Sequence, residues 1–226
     1  HDAVMARPDS KSSFYVFYDR LQTVQSNQVP WLIRNAECRL VLHKNCRNTE
    51  NICRTALSLL PKHGRTEVLR GIAGKIPCIH FSSKETCLKD MDTVIDGLRR
   101  DGINDIVILT LSTEADSLVN KAAKNGSYGE CRFMSCRKFK GLEADAVILV
   151  DFTERTVTDD AMLFYVGASR ARIRLEIMTV MDNESCRNAL ERTEGVGAGR
   201  RKAAVVHRQH DLVGILEIIF LHRRQI

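Results

Sequence analysis

No stretch of this chain is apolar for long enough to cross a bilayer as a helix. Its apolar runs, among them Ala146 to Val150 and the interrupted Leu212 to Leu221, fall well short of the roughly 20 residues a span needs. No charged lead followed by an apolar core opens the chain, so no secretory signal is predicted. C-x-x-C is absent, and no histidine is paired with cysteine at metal-ligand spacing. Cys38, Cys46, Cys53, Cys78, Cys87, Cys131, Cys136 and Cys186 are therefore expected to be reduced thiols of a cytoplasmic protein, with no metal site among them. No internal repeat is present, which excludes a solenoid.

The most consequential absence is a phosphate-gripping loop. G-x-x-x-x-G-K-[ST] occurs nowhere, and Gly71-Ile72-Ala73-Gly74-Lys75-Ile76 lacks both the upstream glycine at the right distance and the Ser or Thr after the lysine. No aspartate-glutamate pair at a strand end is placed to hold Mg²⁺ and a water.

What is there is an ordinary globular composition, 44% hydrophobic over 226 residues, enough for one large domain or one and a half smaller ones. A net charge of +6 suits a polyanionic partner without requiring one, because both signs are interspersed. Short β-branched runs alternate with helical patterns, which predicts a mostly parallel sheet of about six strands with crossover helices. The predicted strands are Phe14–Tyr18, Arg39–Leu42, Cys78–Phe81, Ile106–Leu111, Cys131–Met134, Ala146–Val150 and Leu175–Val180. A helix is predicted from a capping box at Ser82 to Glu85, with Leu88, Met91, Ile95 and Leu98 on one face and Gly102 as its stop. Others are predicted from about Asn51 to Leu60, capped by Asn48 or Thr49, from near Thr158, and across the Leu163–Arg172 run. The apolar run Ile215 to Leu221 fits either a strand or a short helix.

Four segments carry candidate chemistry. Phe14 to Tyr18 leads into a polar turn with Asp19 and Gln22. Asn45-Cys46-Arg47-Asn48-Thr49 sits between a strand and a helix. Ser135-Cys136-Arg137-Lys138-Phe139-Lys140-Gly141-Leu142-Glu143 is a basic, glycine-bearing turn between two strands. Leu163-Phe164-Tyr165-Val166-Gly167-Ala168-Ser169-Arg170-Ala171-Arg172 precedes the last strand of the set. In this order and at these separations they resemble motifs of superfamily 1 DNA helicases of the UvrD and Rep type, specifically the C-terminal RecA-like domain. The resemblance covers roughly residues 14 to 180.

The resemblance implies a P-loop-NTPase-like, three-layer α/β sandwich with a mostly parallel central sheet, of which this chain is the second motor domain. It implies that Arg170 is an arginine finger, that Arg47 reaches the γ-phosphate and that Gln22 senses it. Gly141, Glu143 and Lys140 would lie at the nucleotide, Glu143 accepting from a ribose hydroxyl. Ser135, Arg137 and Lys138 would meet single-stranded DNA, with RNA as the alternative and with the basic run Arg200, Arg201 and Lys202 as a second location. ATP and Mg²⁺ would be cofactors of the full-length enzyme, not held by this chain alone, and the partner would be an N-terminal RecA-like domain of the same protein. The expected organisation is a lead segment at 1–28 carrying the glutamine motif, the helicase domain at 29–182, and a basic tail at 183–226. The competing reading is a non-catalytic nucleic-acid-binding or protein-docking module derived from such a domain.

A finger arginine and a ribose contact cannot replace a lysine loop and metal ligands. The purified 226-residue chain is accordingly expected to show no DNA-stimulated ATP hydrolysis above background in a coupled phosphate-release assay; robust turnover would overturn that.

Overall fold

The computed structural model describes residues 14–19, 38–42, 44–60, 67–68, 71–186 and 216–221, with side chains for 45–60 and 71–186. Its main sheet has six strands in the order β5 (Cys78–Phe81), β10 (Ala171–Thr179), β9 (Ala144–Phe152), β6 (Ile106–Thr110), β8 (Cys131–Ser135) and β7 (Ser127–Tyr128). Five of these are parallel to one another, and the two-residue β7 folds back antiparallel on β8. The predicted parallel sheet is thus present, but its membership differs. β1 (Phe14–Asp19) and β2 (Cys38–Leu42) belong to a separate antiparallel sheet in which β11 (Leu216–Leu221) lies between them. The segment that fitted strand or helix equally is therefore a strand. A third pairing joins β3 (Lys44–Asn45) to β4 (Glu67–Val68) in parallel.

β6 and β9 are buried on both faces, which is why they read as unbroken apolar runs. Alternate residues serve different cores. Val107, Leu109, Val147 and Leu149 join one cluster with α1 (Glu50–Leu57), α3 (Glu154–Thr158) and α4 (Ala161–Ala168). Ile106, Ile108, Ala146, Ile148 and Val150 join the other with α2 (Cys87–Arg100). Helices on both faces make three layers.

α2 presents Met91, Ile95 and Leu98 to the sheet, as the spacing predicts, with Cys87 buried beside them and Leu88 only partly buried against the same cluster. Its capping box is displaced by one residue: Ser83 Oγ accepts from the Thr86 amide while Thr86 Oγ1 accepts from the Ser83 amide, each at 3.2 Å. The helix predicted from Thr158 is two helices, because the capping box of α3 at Thr153 and Thr156 starts a turn earlier and the chain breaks at Asp159 and Asp160. α4 ends at Ala168, so Arg170 lies in a helix-to-strand turn and Arg172 lies on β10 instead of on a helix. α4 is apolar almost all round and buried from Leu163 to Ala168, as suits a helix packed on several sides.

Gly167 is where α4 comes closest to the sheet. A Cβ there would lie 2.6 Å from Cys136 Sγ and 2.8 Å from Leu149 Cδ2. Gly167→Ala is expected to overpack this contact and cost about 1–3 kcal/mol in denaturant unfolding. Adding Cys136→Ala should recover part of that loss; strict additivity of the two changes would show that Cys136 is not the obstacle.

Candidate functional site

The Asn45–Thr49 turn is built by side-chain amides. Asn45 Oδ1 accepts from the backbone amides of Arg47 and Asn48 at 3.0 and 3.1 Å, and Asn45 Nδ2 donates to Asn48 Oδ1 at 2.9 Å. With its carbonyl held in this way, Asn48 turns its Nδ2 inward. It donates to the Ser169 carbonyl at 3.0 Å and the Ala171 carbonyl at 2.6 Å, and it is 1% exposed. The two carbonyls flank Arg170, so the second and fourth motifs are tied together across more than 120 residues of chain. Sequence reading offered Asn48 only as a helix cap. Its true partners are distant backbone groups, which no local pattern reveals.

The N-terminus of α1 is closed by a loop, not by Thr49. The amides of Glu50 and Asn51 donate to the Ile72 and Ala73 carbonyls at 3.0 Å, and Asn51 Nδ2 donates to the Gly74 carbonyl at 3.0 Å. Gly74, at φ +71°, passes so close that a Cβ would lie 2.4 Å from Thr49 Oγ1. The Gly-Lys of Gly74-Lys75 therefore serves as a helix cover, and Lys75 pairs with Asp101 at 3.0 Å.

Arg47 lies at the surface, where its Nε donates to Glu143 Oε2 at 2.9 Å, with both side chains nearly half exposed. Glu143 follows a turn in which Gly141 has φ +92°, a conformation glycine adopts without strain, with open space where a Cβ would be. Arg172 Nε lies 3.9 Å from Glu143 Oε1 and 3.6 Å from Asp145 Oδ1. Arg170 is buried, 2% exposed, and its Nε donates to the Val166 carbonyl of α4 at 3.0 Å. Lys140 is exposed. Arg47, Glu143, Arg170 and Arg172 thus gather where β9 and β10 begin.

Ser135, Arg137 and Lys138 lie at the other end of the sheet. Ser135 pairs with Thr110, which pairs with Val150, whereas the Glu143 end is at the level of Ala144 and Ala171. From Ala144 to Val150 is roughly 20 Å along the strand at about 3.3 Å per residue. Ser135 is buried, and its amide donates to Glu114 Oε1 at 2.9 Å; Lys138 Nζ meets Glu114 Oε2 at 2.6 Å. That lysine contact, with the Ser135 amide second, holds the Glu114 carboxyl below its usual range. Arg137 is exposed. Beside them Asp151, at φ +63°, accepts from Thr110 Oγ1 at 2.6 Å and from the Leu118 amide at 3.2 Å. Those two bonds hold a backbone conformation that costs a non-glycine residue of order 1 kcal/mol. Gln22, Arg200, Arg201 and Lys202 fall outside the described residues.

Residues 130–178 match the family model of the UvrD-like helicase C-terminal domain. This stretch holds the Ser135–Glu143 turn and the Leu163–Arg172 motif, two of the four segments that carry the resemblance. Among solved structures it is similar to the C-terminal domain of a possible DNA helicase from Lactobacillus plantarum WCFS1, at 18% identity and a TM-score of 0.46, covering 60% of this chain and 88% of that one. No curated protein matches the chain. Among the described residues, no helix is long and apolar enough to cross a membrane.

Asn48→Ala would leave the Ser169 and Ala171 carbonyls without their donor. The expected loss is about 1–3 kcal/mol for each group left unsatisfied, read as a lower midpoint in chemical denaturation. Asn48→Asp should be at least as damaging, since it sets an acceptor against two acceptors; a near-neutral result for both would mean that other groups close the Arg170 turn.

Proposed function

We propose that this chain is the second, RecA-like motor domain of an ATP-dependent DNA helicase or translocase, completed by a domain that carries the phosphate loop and the metal ligands. The observation that carries this reading is the convergence of Arg47, Glu143 and Arg170 at one end of the sheet, joined through Asn48. Two half-exposed guanidinia on one carboxylate, beside open space at Gly141, suit a nucleotide polyanion.

ATP, when bound with Mg²⁺, supplies the γ-phosphoryl group whose charge the arginines stabilise. Arg47 exchanges the Glu143 carboxylate for a phosphate oxygen, which frees Glu143 to accept from a ribose hydroxyl. Arg170 leaves the Val166 carbonyl to act as the finger, while Gln22 senses the terminal phosphate and Lys140 lies at the nucleotide's edge. Holding Mg²⁺ falls to the completing domain. At the opposite end Arg137 and Lys138 contact the phosphates of a single strand, with Ser135 shaping the turn they stand on. Separating the nucleotide and strand contacts by the height of the sheet lets one domain carry both.

In a protein that joins this domain to its phosphate-loop partner, Arg170→Ala is expected to lower kcat on the order of a thousandfold, with a smaller change in ATP affinity. Arg47→Ala should behave alike. Near-normal turnover in either variant removes that residue from the phosphate.

Binding of a fluorescent single-stranded oligonucleotide at several salt concentrations tests the other end. Arg137→Ala with Lys138→Ala should flatten the log-log salt slope by roughly 0.7 to 1.4. Most of this should come from Arg137, because Lys138 already has a carboxylate partner. An unchanged slope would move the track elsewhere, with Arg200, Arg201 and Lys202 the next candidates.

A further inference from the structure

We propose that Cys78, His80 and Glu176 form a binding site for a divalent transition metal of borderline softness, Zn²⁺ foremost. Strand periodicity puts Cys78 and His80 on the same face of β5, and the register sets Glu176 of β10 directly beside Cys78. Their ligand atoms all lie within 4.8 Å of one another, and His80 Nε2 is 2.9 Å from Glu176 Oε2. Tetrahedral Zn²⁺, with bonds of about 2.0–2.3 Å, needs ligand atoms roughly 3.3–3.7 Å apart. Closing the set takes shifts of about 1 Å in side chains on two hydrogen-bonded strands.

The carboxylate is held for the purpose. Glu176 is 5% exposed, and Arg174 Nη2 donates to its Oε1 at 3.0 Å, leaving Oε2 towards His80. Asp101, shared with Lys75, in turn meets Arg174 Nη1 at 2.6 Å and holds the guanidinium in place. Such an outer partner fixes a ligand's orientation. A plain histidine-glutamate pair would account for the 2.9 Å contact but not for a thiol on the same face, and a sulfur ligand selects against Mg²⁺ and Ca²⁺. Cys78 is exposed and His80 partly so, which leaves a path for the ion and a fourth position for water.

Binding must displace a proton. A cysteine binds a metal ion as its thiolate. As the metal–sulfur bond forms, the S–H proton passes to solvent, and His80 binds through its neutral Nε2 lone pair. No other bond is made or broken. The site would pin β5 to β10.

The test uses the full chain, stripped of metal and titrated with Co²⁺ as a spectroscopic probe, followed by displacement with Zn²⁺. One equivalent should bind with a thiolate-to-cobalt charge-transfer band and with release of at least one proton. Cys78→Ser should abolish the band. His80→Ala should weaken Zn²⁺ at least about tenfold, since loss of even an outer partner can cost that much. Cys46→Ser, which removes the other exposed thiol among the described residues, should change nothing. Circular dichroism should show both ligand variants folded, as their side chains are partly exposed. Absence of the band, its survival in Cys78→Ser, or its loss in Cys46→Ser would overturn the site.

Discussion

Asn48 is a two-donor side chain set where two backbone carbonyls would otherwise be buried without partners. The Ser169 carbonyl lies at the C-cap of α4, where no intrahelical donor reaches it, and the Ala171 carbonyl lies at the first residue of β10. A water would need room, whereas an amide at 1% exposure fills the space. Asn45 makes the arrangement possible by satisfying the Asn48 oxygen and both amides of the turn, which leaves the Asn48 nitrogen no better partner than those carbonyls. The position of Arg47 outside the turn and of Arg170 inside it both follow from that network.

The parallel sheet then acts as a ruler. Loops entering β9 and β10 are held at one end and loops leaving β6, β8 and β9 at the other, with no adjustable joint between them. Each end has an ion pair on an exposed lysine or arginine: Arg47 with Glu143 at one, Lys138 with Glu114 at the other. Pairs this open to water contribute at most about 1 kcal/mol. On the proposed reading their weakness suits the trade of a carboxylate for a phosphate, because little is lost when the exchange occurs.

Most of the main sheet was legible because its strands are short, apolar and separated by turn residues; Ile106–Thr110 and Cys78–Phe81 need no tertiary information to be recognised. Partner choice was not legible, since β1 and β2 read like any other buried strands and nothing local tells them to pair with β11, some 200 residues from β1. The short α3 was missed because the local capping box at Thr153 and Thr156 starts it a turn before the predicted helix start at Thr158. Motif spacing singles out Arg47, Glu143 and Arg170, which the fold brings to one end of the sheet, but it does not single out the contacts of Asn48, Glu114 and Asp151. Their roles consist of bonds to groups distant in sequence, and sequence pattern records only neighbours. The cluster of Cys78, His80 and Glu176 escaped for the same reason: Glu176 reaches the other two only through strand register.

Arg170 shows how burial and charge can be reconciled at such a site. A guanidinium keeps its proton at any ordinary pH, so taking it out of water costs several kcal/mol unless partial negative charge surrounds it. The end of α4 supplies some: the Val166 carbonyl that receives Nε belongs to the last turn, where unpaired carbonyls form the negative end of the helix dipole. Partial charges of this kind compensate a full charge incompletely. On the proposed reading, a phosphate brought to the mouth of the turn offers formal negative charge and bidentate geometry, neither of which the Val166 carbonyl has. The exchange is then electrostatically favourable even though it breaks a 3.0 Å hydrogen bond. On that reading the buried arginine at the end of an apolar helix is in a resting position that orders the turn and yields to a stronger anion.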